Sequence, residues 1–317
     1  MIEVRNLSRY YGDFCAVEDV SFSIADGEVV GFLGRNGAGK STTLKVLAGL
    51  LMPSSGAVTV DGVDMTEAPT SFRSRIGYLP EDPPLYEDMT VADFLRYMGS
   101  LRGMSSEQVE TRLGEVMART QITERADQLI SELSHGFRKR VGIAQAIMHR
   151  PRLVILDEPI SGLDPAQIRG MRQVIRSLAE ESTVLISSHN LPEVSQTCDR
   201  VIVLKKGRLV AEPSQTADEM APTIGGLAGG PLVNHLSLTL SGDEAAIASF
   251  LKASPLVRGH SLKAGGGLCL AHVLLNEDQP EQLVAALVGA GIGVRRVEDG
   301  LAVQLEDVFL DLTEDRS

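Results

Sequence analysis

One stretch limits what this 317-residue chain can become: Gly34-Arg-Asn-Gly-Ala-Gly-Lys-Ser-Thr42. It fits the pattern G-x-x-x-x-G-K-[ST], with Gly34, Gly39, Lys40 and Ser41 at the fixed positions. Before it lies Glu28-Val-Val-Gly-Phe-Leu33, an apolar run short enough to be a buried strand. After it, Thr43 to Leu50 carries leucines at helical spacing. Strand, glycine loop and helix together are the context that a phosphate loop needs. In such a loop the backbone N–H groups of Gly34, Asn36, Gly37, Ala38, Gly39, Lys40, Ser41 and Thr42 turn toward phosphate oxygens, helped by the positive end of the helix. Lys40 reaches the β- and γ-phosphates, and the Ser41 hydroxyl is a Mg²⁺ ligand. The sequence therefore predicts a phosphate loop for a nucleotide with its Mg²⁺.

The remaining core reads as α/β. Ile2 to Ser8 and Ala16 to Ile24 alternate apolar and polar residues and predict two half-buried strands, with Tyr10-Tyr11-Gly12 as a turn between them. Gly56 to Gly62 and Ile76 to Leu79 are further strands. From Thr90 the periodicity becomes helical: Thr90 with Asp93 resembles a capping box, and a second helix follows Ser105. These two helices read as an insertion into the α/β core. Gly136 is expected to open a third helix, from Phe137 to His149. On it Arg138-Lys-Arg140 reads as a solvated or phosphate-facing side rather than a nucleic-acid patch. Leu153 to Leu156 is an apolar strand, Pro165 to Glu180 a helix, Thr183 to Ser187 a strand and Val201 to Val210 a hairpin. Buried strands alternating with helices imply a largely parallel sheet covered on both faces.

Composition shifts near Pro222, where paired glycines (Gly225-Gly226, Gly229-Gly230) suggest a linker. The expected organisation is 1–222 for the nucleotide domain, 223–232 for the linker and 233–317 for an accessory domain. In the accessory domain, strands and helices follow the order βαββαβ, that of a ferredoxin-like α+β unit. It holds half of the chain's net charge of −12. That acidity argues against nucleic acid as a partner. No apolar window approaches the length of a bilayer span, and Met1-Ile-Glu-Val-Arg lacks the pattern of a secretory leader. Cys15, Cys198 and Cys269 are spaced as free thiols of a reducing compartment rather than as metal ligands.

Asp157 and Glu158 end the apolar strand at Leu156. The first carboxylate is placed to hold Mg²⁺ through water, and the second to polarise the water that attacks the γ-phosphate. His189 follows the next strand, at the sheet edge where ligands of α/β folds collect. A lone histidine there is often structural, but this one is in position to touch the γ-phosphate.

Taken in order, Tyr11, Gly34 to Thr42, Leu133-Ser-His-Gly-Phe137, Leu153 to Pro159, Ser161-Gly-Leu-Asp164 and His189 resemble the ATP-binding subunit of an ABC transporter. The closing Leu305 to Thr313 is similar to the C-terminal extension of the ABC-2-type drug-export and gliding-motility ATPases. This resemblance implies an ATPase that forms a head-to-tail homodimer around two ATP molecules. One subunit would supply the phosphate loop, Asp157, Glu158 and His189. The other would supply Ser134 and Gly136, with Asp164 across the interface. Tyr11 would stack on adenine, with Tyr10 as the competing aromatic. Glu81 stands where a glutamine usually senses Mg²⁺ and the membrane partner, and so joins the candidate metal and nucleotide ligands; an acidic turn residue is the alternative. In the signature segment His135 and Phe137 replace the usual glycine and glutamine. The expected role is ATP hydrolysis driving a separate transmembrane permease, peripheral to the cytoplasmic face of the membrane. A soluble ABC-type ATPase acting on ribosomes or DNA is the alternative.

Overall fold

The structure is a computed structural model. It describes residues 1–190, 193–194, 196–211, 235–265, 268–276 and 279–299. The chain divides into two compact units, Met1–Glu212 and Pro213–Ser317. The expected linker 223–232, the boundary at Pro222 and the closing segment Leu305 to Thr313 lie outside the described residues.

The first unit carries two sheets. Strands β1 (Ile2–Tyr11), β2 (Phe14–Ile24), β4 (Ser55–Val60) and β5 (Val63–Asp64) form an antiparallel sheet in the order β2-β1-β4-β5. Tyr10 and Tyr11 belong to β1 rather than to the expected turn, and Tyr11 pairs with Phe14 across the hairpin. Alternation drives this sheet: Ile2, Val4, Val20, Phe22 and Ile24 are buried and their neighbours are not.

The second sheet has six strands in the order β10-β9-β3-β8-β7-β6. They are β3 (Val29–Leu33), β6 (Ile76–Leu79), β7 (Leu153–Leu156), β8 (Thr183–Ser188), β9 (Arg200–Lys205) and β10 (Arg208–Ala211). All run parallel except β10, which returns antiparallel to β9. Every residue of β3, β7 and β8 is buried, as expected for strands covered on both faces. Parallel register sets Leu33 beside Ser188 and Leu79 beside Leu156. The C-terminal ends of β3, β8, β7 and β6 therefore emerge side by side, at one edge of the sheet.

Helix α1 (Lys40–Leu47) follows β3 directly, and α2 (Pro69–Ser74) precedes β6. The helical insertion is α3 (Val91–Leu101) and α4 (Ser106–Arg119). Thr90 caps α3 by accepting from the Asp93 N–H, and Ser105 with Gln108 forms a full capping box on α4. Helix α5 (His135–Ile147) begins two residues earlier than the sequence suggested. Ser134 is its N-cap, so Gly136 lies within the first turn. Helix α6 (Pro165–Leu178) completes the unit, with Asp164 as its cap. Among the described residues no helix is long and apolar enough to cross a membrane.

The second unit holds β11 (His235–Ser241), α7 (Glu244–Ala253), β12 (Val257–Gly265), β13 (Leu268–Leu275), α8 (Pro280–Gly289) and β14 (Gly293–Asp299). Its antiparallel sheet runs β12-β13-β11-β14. That is the ferredoxin-like order read from the sequence. Its core joins Leu238, Leu240, Ile247 and Leu251 to Leu283 and Leu287.

Candidate functional site

The phosphate loop lies between the end of β3 and the start of α1. Gly39 has φ +101°, a region that side chains avoid, and a Cβ there would meet the Ala16 carbonyl oxygen at 2.5 Å. Only glycine lets the loop pass so close to β2. Lys40 is 6% exposed, and its Nζ donates to the Gly34 carbonyl at 2.6 Å. Burial pushes the Lys40 ammonium down from its ordinary range; Glu158, Asp157 and Glu81 pull it back up. The ammonium is thus turned back onto its own loop, next to three carboxylates.

Asp157 and Glu158 follow β7 as expected and are nearly buried. Ser187 at the end of β8 serves both: its Oγ donates to Asp157 Oδ1 at 2.5 Å and accepts from the Glu158 N–H at 2.9 Å. Glu158 itself is held at φ +49°, a left-handed conformation costly for a residue with a side chain. Its carboxylate faces His189 Nδ1 at 3.0 Å and Lys40 Nζ at 4.0 Å. The structure therefore brings together three of the residues singled out in the sequence, Lys40, Glu158 and His189.

These groups border a cleft of about 450 Å³. Its wall also includes Asn36, Gly37, Gly39, Ser41, Thr42 and Glu81. The aromatic at its rim is Phe14, 66% exposed, rather than Tyr11. Tyr11 instead stacks under the Arg9 guanidinium at 4.8 Å. Sequence reading missed Phe14 because the hairpin register, which sets it opposite Tyr11, is not visible in a linear pattern.

Ser134, Gly136 and Asp164 do not line this cleft in the single chain. Ser134 Oγ accepts from the Phe137 N–H at 3.5 Å. Asp164 Oδ1 accepts from the N–H groups of Ala166 and Gln167, both at 2.9 Å. Gly136 cannot carry a side chain without moving Gln167, whose Oε1 would lie 2.7 Å from a Cβ. Two guanidiniums lie over the Phe137 ring, Arg125 at 5.0 Å and Arg140 at 5.8 Å. Within Arg138-Lys-Arg140 the expectation of a solvated side fails at Lys139. It is 2% exposed, and its Nζ donates to the Glu158 carbonyl at 2.6 Å. One turn on, along the same face of α5, Gly142 packs against Leu79 and Pro83.

A glycine loop between a buried strand and a helix, at the C-terminal edge of a parallel sheet, defines a P-loop nucleotide-binding α/β unit. Residues 17–161 match the ABC transporter family. An ABC transporter ATP-binding protein of Methanocaldococcus jannaschii is 40% identical over 66% of this chain and 76% of its own length. The linearmycin resistance ATP-binding protein LnrL of Bacillus subtilis is 31% identical over 99% of this chain and 98% of its own length. Among solved structures, a dimeric ATP-binding cassette in a post-hydrolysis state with ADP and Pi is similar at 25% identity. It covers 67% of this chain and 97% of that one, with a TM-score of 0.59. The chain belongs to the ATP-binding subunits of ABC transporters and is an ATPase.

Proposed function

We propose that the chain powers an export-type ABC transporter as a head-to-tail dimer. It would act on a separate membrane-spanning permease from the cytoplasmic face of the membrane. The observation that carries the hydrolytic part is the Glu158 carboxylate, 3.0 Å from His189 Nδ1 and 4.0 Å from Lys40 Nζ beside the phosphate loop. Glu158 is the base that orients the attacking water, His189 fixes that carboxylate and meets the γ-phosphate, and Lys40 swings from Gly34 to the β- and γ-phosphates. Tyr11 or its neighbour Phe14 stacks on the base of the nucleotide.

Ser41, Asp157 and Glu81 offer hard oxygen donors, the kind that suits Mg²⁺. Among the described residues no group of three or more His, Cys, Asp or Glu is gathered to hold an ion. With a hydroxyl and two carboxylates, Ser41, Asp157 and Glu81 would share a Mg²⁺ with ATP phosphates and water. Bound there, the ion would neutralise charge on the transferring phosphoryl group.

Ser134, Gly136 and Asp164 lie away from the cleft, which supports their serving the nucleotide of a second subunit. Resemblance over nearly the whole length to a drug-resistance ATP-binding protein supports an export role. Glu158→Gln removes the base and keeps size and hydrogen bonding; hydrolysis should fall by about 10²–10⁴-fold with ATP binding intact. Unchanged hydrolysis would refute the role of Glu158. Purification from detergent-solubilised membranes should bring down a polytopic partner; recovery of ribosomes or DNA instead would favour the soluble alternative.

A further inference from the structure

Lysine is rarely buried, because its long stem normally carries the ammonium out to water. Lys139 does the reverse. It lies on α5, 2% exposed, and its Nζ reaches 2.6 Å from the backbone carbonyl oxygen of Glu158. Taking an ammonium out of water is costly unless polar groups replace the solvent. Here the Glu158 carbonyl does so directly. Burial pushes the Lys139 ammonium down from its ordinary range, and the surrounding acids Glu81, Glu158, Asp82 and Glu193 pull it back up. None of the functions assigned above to the phosphate loop, Asp157, Glu158 or His189 uses this residue.

What the ammonium holds is informative. Glu158 is in the left-handed region at φ +49°, which persists only where the surroundings over-determine it. Two side chains do so: Ser187 Oγ accepts from the Glu158 N–H at 2.9 Å, and Lys139 donates to its carbonyl. The peptide groups on both sides of the Glu158 Cα are thus fixed, and with them the direction of its carboxylate. We propose that Lys139 is a positioning residue for ATP hydrolysis, holding the Glu158 carbonyl so that the carboxylate stays aimed at the phosphate cleft. This rests on the reading of Glu158 as the base. Ser134 caps the same helix, so this hydrogen bond also ties the start of α5 to Glu158, whose carbonyl accepts in addition from the Ser161 N–H at 3.3 Å.

The test uses the full chain, with steady-state hydrolysis and fluorescent-ATP affinity measured for wild type, Lys139→Met, Lys139→Gln and Glu158→Gln. Lys139→Met keeps the stem and loses the donor. Its kcat should fall by about 10²-fold, the effect of a reacting group misplaced by about 1 Å, while ATP affinity holds. Lys139→Gln keeps an N–H donor without the charge and should recover part of the loss. If Glu158→Gln lowers hydrolysis but Lys139→Met does not, the proposal for Lys139 is wrong and the role of Glu158 stands. If Glu158→Gln leaves hydrolysis intact, the base assignment itself fails. Equal losses in Lys139→Met and Lys139→Gln, or ATP affinity falling together with kcat, would make Lys139 a packing residue and overturn the proposal.

Discussion

The two units bury different things. Among the described residues, the first unit buries the charged side chains Lys40, Lys139, Arg112, Asp157 and Glu158, together with several serines and threonines. Among its described residues the second buries apolar side chains, with Ser237 as the one buried polar residue. A charge withdrawn from water destabilises a fold unless it is paired, so an apolar core is the default when a unit has only to fold. Four of these charges, Lys40, Lys139, Asp157 and Glu158, lie beside or behind the phosphate loop, whereas Arg112, on the helical insertion, is paired with Glu115 and Glu181. The contrast separates a unit built for chemistry from one built for shape. We propose that the second unit is an interaction or dimer-adjusting module.

The largest effect that would sharpen this comparison lies in the second unit. Leu283 is fully buried in its core. Leu283→Ala should cost about 2–5 kcal/mol of that unit's stability and leave ATP affinity of the full chain unchanged. Urea unfolding followed alongside nucleotide titration checks both; loss of ATP binding would break the separation.

A smaller effect lies in the first unit. His149 Nε2 is 3.0 Å from the Ile76 carbonyl oxygen. Burial, with Arg102 and Arg112 adding to it, pushes the imidazole down to about 4 from an ordinary 6.5, although the Ile76 carbonyl raises it. The folded state thus disfavours the proton that the unfolded chain accepts. Stability from this group is complete above about pH 6.5 and is lost as pH falls toward 4, by up to about 3 kcal/mol at 1.36 kcal/mol per pH unit. His149→Gln should flatten the decline between pH 6.5 and 4, read from denaturant midpoints across that range. An equal decline in both proteins would show that other groups cause it.

The sequence carried the phosphate loop, the Asp157-Glu158 pair, both insertion helices and the βαββαβ order, because each rests on local spacing and capping. Ser134 as the N-cap of α5 was within reach: serine is a preferred cap, and the glycine at 136 drew the helix start two residues too late. Phe14 and Lys139 were not legible. Helical periodicity marks Lys139 as polar and says nothing of Glu158, nineteen residues on, closing over it. Phe14 became a cleft residue only through its pairing with Tyr11. In both cases a long-range contact outranked the local pattern.

The central claim is that ATP chemistry resides in the first unit alone. A chain ended after Pro222, titrated with fluorescent ATP beside the full-length protein, tests it most directly. Near-equal affinities are expected, with any difference confined to the proposed dimerisation or coupling to a proposed membrane partner. A truncated chain that aggregates, or that stays folded and no longer binds ATP, would contradict the claim.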